Sequence, residues 1–189
     1  MSTATIPTPV PATPLMTADE FLAKHIDDRF IELINGQIVR LPMPGCEHGE
    51  VCMNAGAILR EHVKKHKLGR VMGNDTFVKT GNNSVRGADV FYISYSRMPK
   101  DEPTPQGIGP TPELVIEVRS PTDRMSRMVS KAAEYLQAGV SAVVLLFPET
   151  DSATVHRSNT DPITLASADM LELPDILPGF SAPVKSFFE

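Results

Sequence analysis

Glu117 is the residue whose position most needs a chemical explanation. It interrupts the apolar run 114–118, whose residue types are typical of a buried β-strand. An ionised carboxylate buried there alone would cost on the order of several kcal/mol. Glu117 must therefore form an ion pair, bind a metal ion or reach solvent. Because alternate residues of a strand share a face, a simple ion pair with Arg119 is the alternative to a functional role.

A second carboxylate, Asp89, stands just before the apolar run 90–93. If both runs are strands of one sheet, Asp89 and Glu117 can come together at its margin. Two close carboxylates repel unless a proton or a cation lies between them, and a divalent metal ion suits such an oxygen-rich set. Oxygen ligands favour Mg²⁺ or Mn²⁺ over Zn²⁺. Taken singly, Asp89 also fits a turn residue.

The elements that must position these carboxylates are predicted from patterns along the chain. Thr17 followed by Glu20 predicts the capped start of a short helix, and Asn35-Gly36 predicts a β-hairpin over residues 29–40. Apolar spacing and turn residues predict the remaining elements. These are a helix over 51–67, strands over 71–80 and 85–93, a loop over 98–112, a strand over 114–118, a helix capped by Thr122 or Asp123 and ending near 138, and strands over 142–147 and 153–157.

This order of elements predicts an α/β (α+β) fold in which helices flank a mixed β-sheet. The helix between strands 114–118 and 142–147 makes a crossover, which predicts that these strands run parallel in one sheet. Composition predicts a disordered Pro/Thr-rich tail over residues 1–15 and a single domain over 16–189.

Composition also narrows the function classes. A net charge of −5 argues against a strongly basic nucleic-acid binder, but it allows a local basic surface or an acidic metal site. No apolar run approaches the roughly 20 residues that span a bilayer, and the N-terminus lacks a signal-peptide pattern, so a cytoplasmic protein without membrane contact is expected. Cys46 and Cys52 predict buried free thiols rather than a disulfide or a Cys-rich metal site.

Several segments share their residues and their order with one family. They are Glu-Leu-Ile-Asn-Gly at 32–36, Pro-Gly-Cys-Glu-His-Gly at 44–49, Asn-Asp-Thr at 74–76, Val-Arg-Gly-Ala-Asp-Val at 85–90, Pro-Glu-Leu-Val-Ile-Glu-Val-Arg-Ser-Pro-Thr-Asp at 112–123, Lys131 with Tyr-Leu-Gln-Ala-Gly-Val at 135–140, and Leu-Pro-Gly-Phe at 177–180. The chain resembles the Uma-type "putative restriction endonuclease" family of the PD-(D/E)XK nuclease superfamily. The resemblance extends from about residue 16 to the C-terminus, which makes it more specific than any single motif.

The resemblance implies a restriction-endonuclease-like core with a divalent-metal-dependent phosphodiesterase site. It implies that Asp89 and Glu117 are the two acids of the motif and that, with the carbonyl group of Val118, they hold Mg²⁺ (or Mn²⁺). It further implies that Lys131 reaches back into the site from the following helix. Glu32, in the N-terminal hairpin, matches an acid that could be a further metal or water ligand.

The chain departs from the superfamily pattern at two positions. Arg119 stands where the superfamily has a lysine, two residues after the second acid. A guanidinium stays protonated, so Arg119 could clamp a phosphate and stabilise charge, but it could not act as a general base. Lys131 is then the candidate for proton transfer. Ala88 replaces the proline before the first acid, which removes no ligand.

Further residues are candidates for contacts to nucleic acid. Arg86, Arg124 and Arg127 flank the two acids and could line a phosphate path, although each alone fits an ordinary surface charge. His48 precedes the predicted helix 51–67 and could donate a hydrogen bond to a phosphate, or it could have a structural role at the N-terminus of that helix.

These observations predict a divalent-metal-dependent endonuclease that hydrolyses the phosphodiester bonds of DNA. The fold alone does not dictate this activity. The alternative is a catalytically inactive binding or regulatory protein with the nuclease fold, and a hydrolase of small phosphorylated substrates is a third class. A homodimer is expected because symmetric cleavage of a duplex needs two sites.

Overall fold

Two apolar strands, β5 (Leu114–Val118) and β6 (Ala142–Phe147), lie at the centre of the computed structural model, which describes residues 15–189. Every residue of both strands is buried, as expected for strands that are covered on both faces. The two strands run parallel because helix α3 (Met125–Gln137) crosses over between them. The bounds predicted for both strands and their parallel pairing are confirmed.

A long hairpin of β3 (Gly69–Gly81) and β4 (Ser84–Ser94) extends the sheet. Strand β3 pairs along most of one edge of β4, while the other edge pairs first with β1 and then with β5. The eight-stranded sheet has the order β2-β1-β4-β5-β6-β7-β8, with β3 on β4. Its other strands are β1 (Ile31–Ile34), β2 (Gln37–Arg40), β7 (Ser152–His156) and β8 (Ile163–Leu165), and a separate small sheet pairs β9 (Met170–Glu172) with β10 (Ser181–Pro183).

Helices cover both faces of the large sheet. Helix α2 (Cys46–His66) has a buried apolar residue at every fourth position between 51 and 63. These residues pack on one face of the sheet, together with buried residues of the segment 171–187. Helix α3 packs on the opposite face through three buried residues. Helix α1 (Ala18–His25) begins at the predicted capping box of Thr17 and Glu20 and packs against β1. The fold is therefore the predicted mixed sheet flanked by helices. The buried residues of α2 are Val51, Ala55, Leu59 and Val63, and those of α3 are Met128, Ala132 and Tyr135.

Some element bounds differ from the prediction. Helix α2 begins at Cys46 rather than at Val51, because its first turn faces a polar cleft and carries no apolar pattern. The N-cap of α3 is Arg124, without a side-chain cap, while the side chain of Asp123 accepts a hydrogen bond from the Ser120 amide. Asp89 lies in the interior of β4, inside the predicted strand 85–93 rather than at a strand margin.

The predictions for the N-terminal tail, the cysteines and the membrane can be compared with the structure only in part. The tail predicted over residues 1–15 falls, apart from Leu15, outside the described residues. The thiol of Cys46 is exposed rather than buried, and that of Cys52 is partly buried. Among residues 15–189, none of the helices has the length and apolar character needed to cross a bilayer.

Truncating a side chain of the central strands should destabilise the fold. Leu146 of β6 is fully buried, so Leu146→Ala should lower the free energy of unfolding by about 2–5 kcal/mol through lost burial and a residual cavity. Ile163 of the terminal strand β8 is 58% exposed, and Ile163→Ala should cost about 0.5 kcal/mol or less. Urea unfolding of both variants measures the difference, and equal losses would contradict this account of the core.

Candidate active site

A gap in the strand pairing of β4 creates the site. On the edge opposite β3, strand β1 meets β4 at Val85 and strand β5 begins to pair at Val90. Between these points side chains bond to the backbone of Gly87: its amide donates to Glu32 Oε1 at 3.2 Å, and its carbonyl accepts from Lys131 Nζ at 2.8 Å. Because buried backbone polar groups need partners, these side chains take the place of a neighbouring strand.

Lys131 connects several elements through its single ammonium group. Besides the Gly87 carbonyl, its Nζ contacts Glu117 Oε2 at 2.7 Å and Glu32 Oε1 at 3.3 Å. Burial alone would lower the pKa of this ammonium, but the charges of Glu117 and Glu32 outweigh burial and raise it well above its usual value. Lys131 therefore stays protonated and is unsuited to accept a proton.

Glu117 lies at the bottom of the site between two donors. Its Oε2 accepts from Lys131, and its Oε1 accepts from the Tyr135 hydroxyl at 2.8 Å. Burial raises the pKa of Glu117 to about 8, the charge of Asp89 adds to the rise, and the charge of Lys131 opposes it. An additional cation near Glu117 would offset the cost of its negative charge. The ion pair of Glu117 with Arg119, which was the alternative to a functional role, is not formed; Lys131 takes that place.

Asp89 is held by the neighbouring strand and by α2. Its Oδ2 accepts from the Val118 amide at 2.7 Å, and its Oδ1 lies 3.4 Å from His48 Nε2. Burial would lower the pKa of His48, but hydrogen bonding to Asp89 and the charges of nearby carboxylates raise it. His48 lies in the first turn of α2 rather than ahead of the helix.

A β-bulge adds a further carboxylate that the sequence analysis did not assign. Asn74 and Asp75 together oppose Asp89, and both have positive φ, at 64° and 54°. A side chain at Gly87 would come within 3.3 Å of Asp75, so the glycine permits this close approach. Burial and the charge of Asp89 raise the pKa of Asp75. The adjacent Asn-Asp pair inside a strand pattern is the sequence signal for such a bulge.

These side chains line one cleft of about 100 Å³. Four of its carboxylates come from four different strands, a fifth is that of Asp123 ahead of α3, and the basic side chains in its lining are Lys131, His48 and Arg127. A concentration of carboxylates in a partly closed cleft is the donor chemistry that a hard divalent cation requires, so the residues fit such an ion. The lining includes Glu32, Asp75, Asp89, Glu117 and Val118.

Arg86 has a different environment from the one predicted for a DNA contact. It is 5% exposed, and its guanidinium donates to Glu32 at 3.0 Å and to Glu134 of α3 at 2.9 Å. Burial would lower its pKa, and the two carboxylates raise it instead. Arg86 is thus turned into the protein, where it stabilises Glu32 rather than facing a phosphate path.

The other arginines that were predicted as site residues lie at different distances from the cleft. Arg119 does not line the cleft: its guanidinium pairs with Glu149 at 3.1 Å and lies beside Phe147 on the far side of α3. Arg124 and Arg127 are exposed at the start of α3, and Arg127 lies on the rim of the cleft. Of the predicted site residues, the structure therefore brings together Glu32, Asp89, Glu117, Val118, Lys131 and His48.

Comparison with known proteins identifies the family of the chain and a solved structure with the same fold. Residues 18–185 match the Uma2 family, whose description is "Putative restriction endonuclease". The chain belongs to this family. A crystal structure of a "putative nuclease belonging to DUF820" from Anabaena variabilis has the same fold, with a TM-score of 0.81 and 20% identity over 92% of this chain and 97% of that one. No curated protein gives a significant match.

The burial of Arg86 predicts an asymmetry between two ion pairs. Arg86→Met should lower the free energy of unfolding by about 3 kcal/mol, because Glu32 and Glu134 lose a buried partner. Arg157→Met breaks an exposed pair with Asp175 and should cost about 1 kcal/mol or less. Chemical unfolding of the two variants measures both changes. Similar losses of unfolding free energy would contradict the expectation that the buried ion pairs of Arg86 stabilise the fold more than the exposed pair does.

Proposed function

We propose that this protein is a divalent-metal-dependent endonuclease that hydrolyses phosphodiester bonds of DNA. The observation that carries the proposal is the approach of Asp89 on β4 and Glu117 on β5 in one acidic cleft, with the ammonium of Lys131 behind Glu117. Family membership supports the same activity. In the proposed site Asp89, Glu117 and the carbonyl of Val118 hold Mg²⁺ or Mn²⁺.

Side chains around the proposed metal ion would orient its ligands and stabilise the charge that develops during hydrolysis. When bound, a divalent ion lowers the pKa of a water molecule and polarises the phosphate. Lys131 and Tyr135 hold both oxygens of Glu117 in place, and the charge of Lys131 offsets part of the negative charge that develops on the phosphoryl oxygens. Glu32, fixed by Arg86 and Lys131, is available to order a water molecule or a second ion. Because Arg119 is paired with Glu149, we give it no catalytic task.

The substrate would approach along the start of α3. Arg124 and Arg127 are exposed there and would contact phosphates, which an overall charge of −5 otherwise repels. We propose a homodimer of the single domain 16–189, since two related sites are required to cut both strands symmetrically. A DNA substrate also implies a cytoplasmic location.

One set of observations favours the alternative of an inactive nuclease-fold protein that binds or regulates. Lys131 and Arg86 are both engaged with protein acceptors, and Arg119 stands in the place of the superfamily's lysine outside the cleft. Lys131, the lysine that lines the cleft, is then not free to accept a proton. Metal binding without cleavage of any DNA form would favour this alternative.

Removal of either proposed metal ligand should abolish cleavage. Asp89→Asn and Glu117→Gln keep the size of the side chain but remove its charge, so both should lose metal binding and cut DNA more than about a hundred-fold more slowly. Asp151→Asn, at an exposed site, is the matched control and should behave as the wild type. Calorimetric titration with Mg²⁺ and Mn²⁺ and plasmid cleavage on the same preparations measure both effects. Wild-type activity in either ligand variant would refute the site.

The raised pKa of Glu117 predicts how metal affinity depends on pH. Because the ion binds the deprotonated carboxylate, apparent Mg²⁺ affinity should rise as pH rises to about 8 and then level off. Tyr135→Phe removes a donor to the charged carboxylate, which raises the pKa of Glu117 further and should move the curve to higher pH. Calorimetry over this pH range tests both statements. An affinity independent of pH below 8 would contradict them.

A further inference from the structure

A second type of ligand set borders the cleft. His48 and Cys52 stand four residues apart on α2, so their side chains point from the same face of the helix. That face meets Asp89 of β4. One ligand atom from each of the three residues can be chosen so that all three lie within 4.8 Å of one another.

The ligand atoms of this set differ chemically from those of the proposed magnesium site. It combines an imidazole nitrogen, a sulfur and one carboxylate oxygen, which suits Zn²⁺ and other borderline or soft ions, whereas Mg²⁺ takes oxygen ligands. Tetrahedral zinc separates such ligand atoms by about 3.3–3.8 Å. The three ligand atoms of this set lie at most 4.8 Å from one another. Side-chain movements of about 1 Å would therefore bring them to the distances that a bound zinc ion requires.

The surroundings of His48 leave it available as a ligand. Its Nε2 already lies 3.4 Å from Asp89 Oδ1, and its Nδ1 is buried without a hydrogen-bond partner among the described residues. The charges of Asp89, Asp75 and Glu117 reach both His48 and Cys52 and would attract a cation. The triad is therefore held in a negatively charged environment.

An access path runs along α2. His48, Cys52 and Asp89 line a groove of about 620 Å³ between α2 and β3. On the α2 side of this groove, a Cβ atom added at Gly49 or Gly56 would meet no atom within 4 Å. An ion and a water molecule as fourth ligand can reach the triad by this route without displacing the chain.

We propose that His48, Cys52 and Asp89 form a Zn²⁺ site that overlaps the proposed magnesium site through Asp89. Zinc at this position withdraws Asp89 from the hard-metal set, so zinc and magnesium exclude each other. The consequence for cleavage rests on the proposed nuclease function, whereas the existence of the zinc site does not.

Cobalt and zinc titrations test the site without any assay of activity. Wild-type protein should bind one Co²⁺ with a thiolate charge-transfer band, and Zn²⁺ should displace it. Cys52→Ser should lose the band, and Cys52→Ser and His48→Gln should each weaken Zn²⁺ binding by about ten-fold or more. Cys46→Ser controls for the other thiol, and His66→Gln controls for the pair His62 and His66 on the same helix; both should leave binding unchanged. Unchanged zinc affinity in Cys52→Ser would overturn the proposal.

Cleavage assays then test the exclusion. Zn²⁺ should inhibit magnesium-supported plasmid cleavage by the wild type and by Cys46→Ser, and the inhibition of Cys52→Ser should require about ten-fold more zinc, each rate being compared with the same protein without zinc. Equal sensitivity of Cys52→Ser would refute the exclusion. If the wild type cuts no DNA with magnesium, the nuclease proposal fails, while the cobalt spectrum still decides whether the zinc site exists.

Discussion

The interaction on which the rest of the structure depends is the ammonium of Lys131 on the backbone of Gly87 and on the carboxylates of Glu117 and Glu32. It ties α3 to three strands of the sheet at the place where strand pairing is interrupted. A buried ammonium is costly unless every donor is satisfied, and here each has an acceptor. The same contacts hold the acidic residues in one cleft, so the packing of α3 and the geometry of the site cannot vary independently.

The cleft gathers acids that repel one another, and only part of that repulsion is neutralised by the protein. Arg86 and Lys131 compensate Glu32, whereas neither Asp75 nor Asp89 forms an ion pair with an arginine or a lysine among the described residues, and Glu117 has its pKa raised to about 8. An unbalanced negative charge of this kind lowers stability unless a cation joins it. A cluster of carboxylates that lowers the stability of the fold is typical of functional sites rather than of structural ion-pair networks.

Much of this arrangement could be predicted from the sequence, and the failures have physical causes. Apart from Glu117, the strands 114–118 and 142–147 are wholly apolar, so their bounds were evident. The first turn of α2 borders the cleft and lacks the apolar spacing that marks a helix. Arg119 lies beyond the end of its strand, where alternation no longer determines direction, and Asp75 reaches the site only because a bulge forms against β4.

The interrupted pairing of β4 also places two peptide groups in an unusual position. The amide of Gly87 donates to Glu32, and the amide of Val118 donates to Asp89, whereas most strand amides donate to another backbone carbonyl. The magnetic environment of these two amide protons is thus set by the ionisation and the occupancy of functional carboxylates. In a nitrogen–proton correlation spectrum, the signals of Gly87 and Val118 would act as built-in reporters on the two sides of the site.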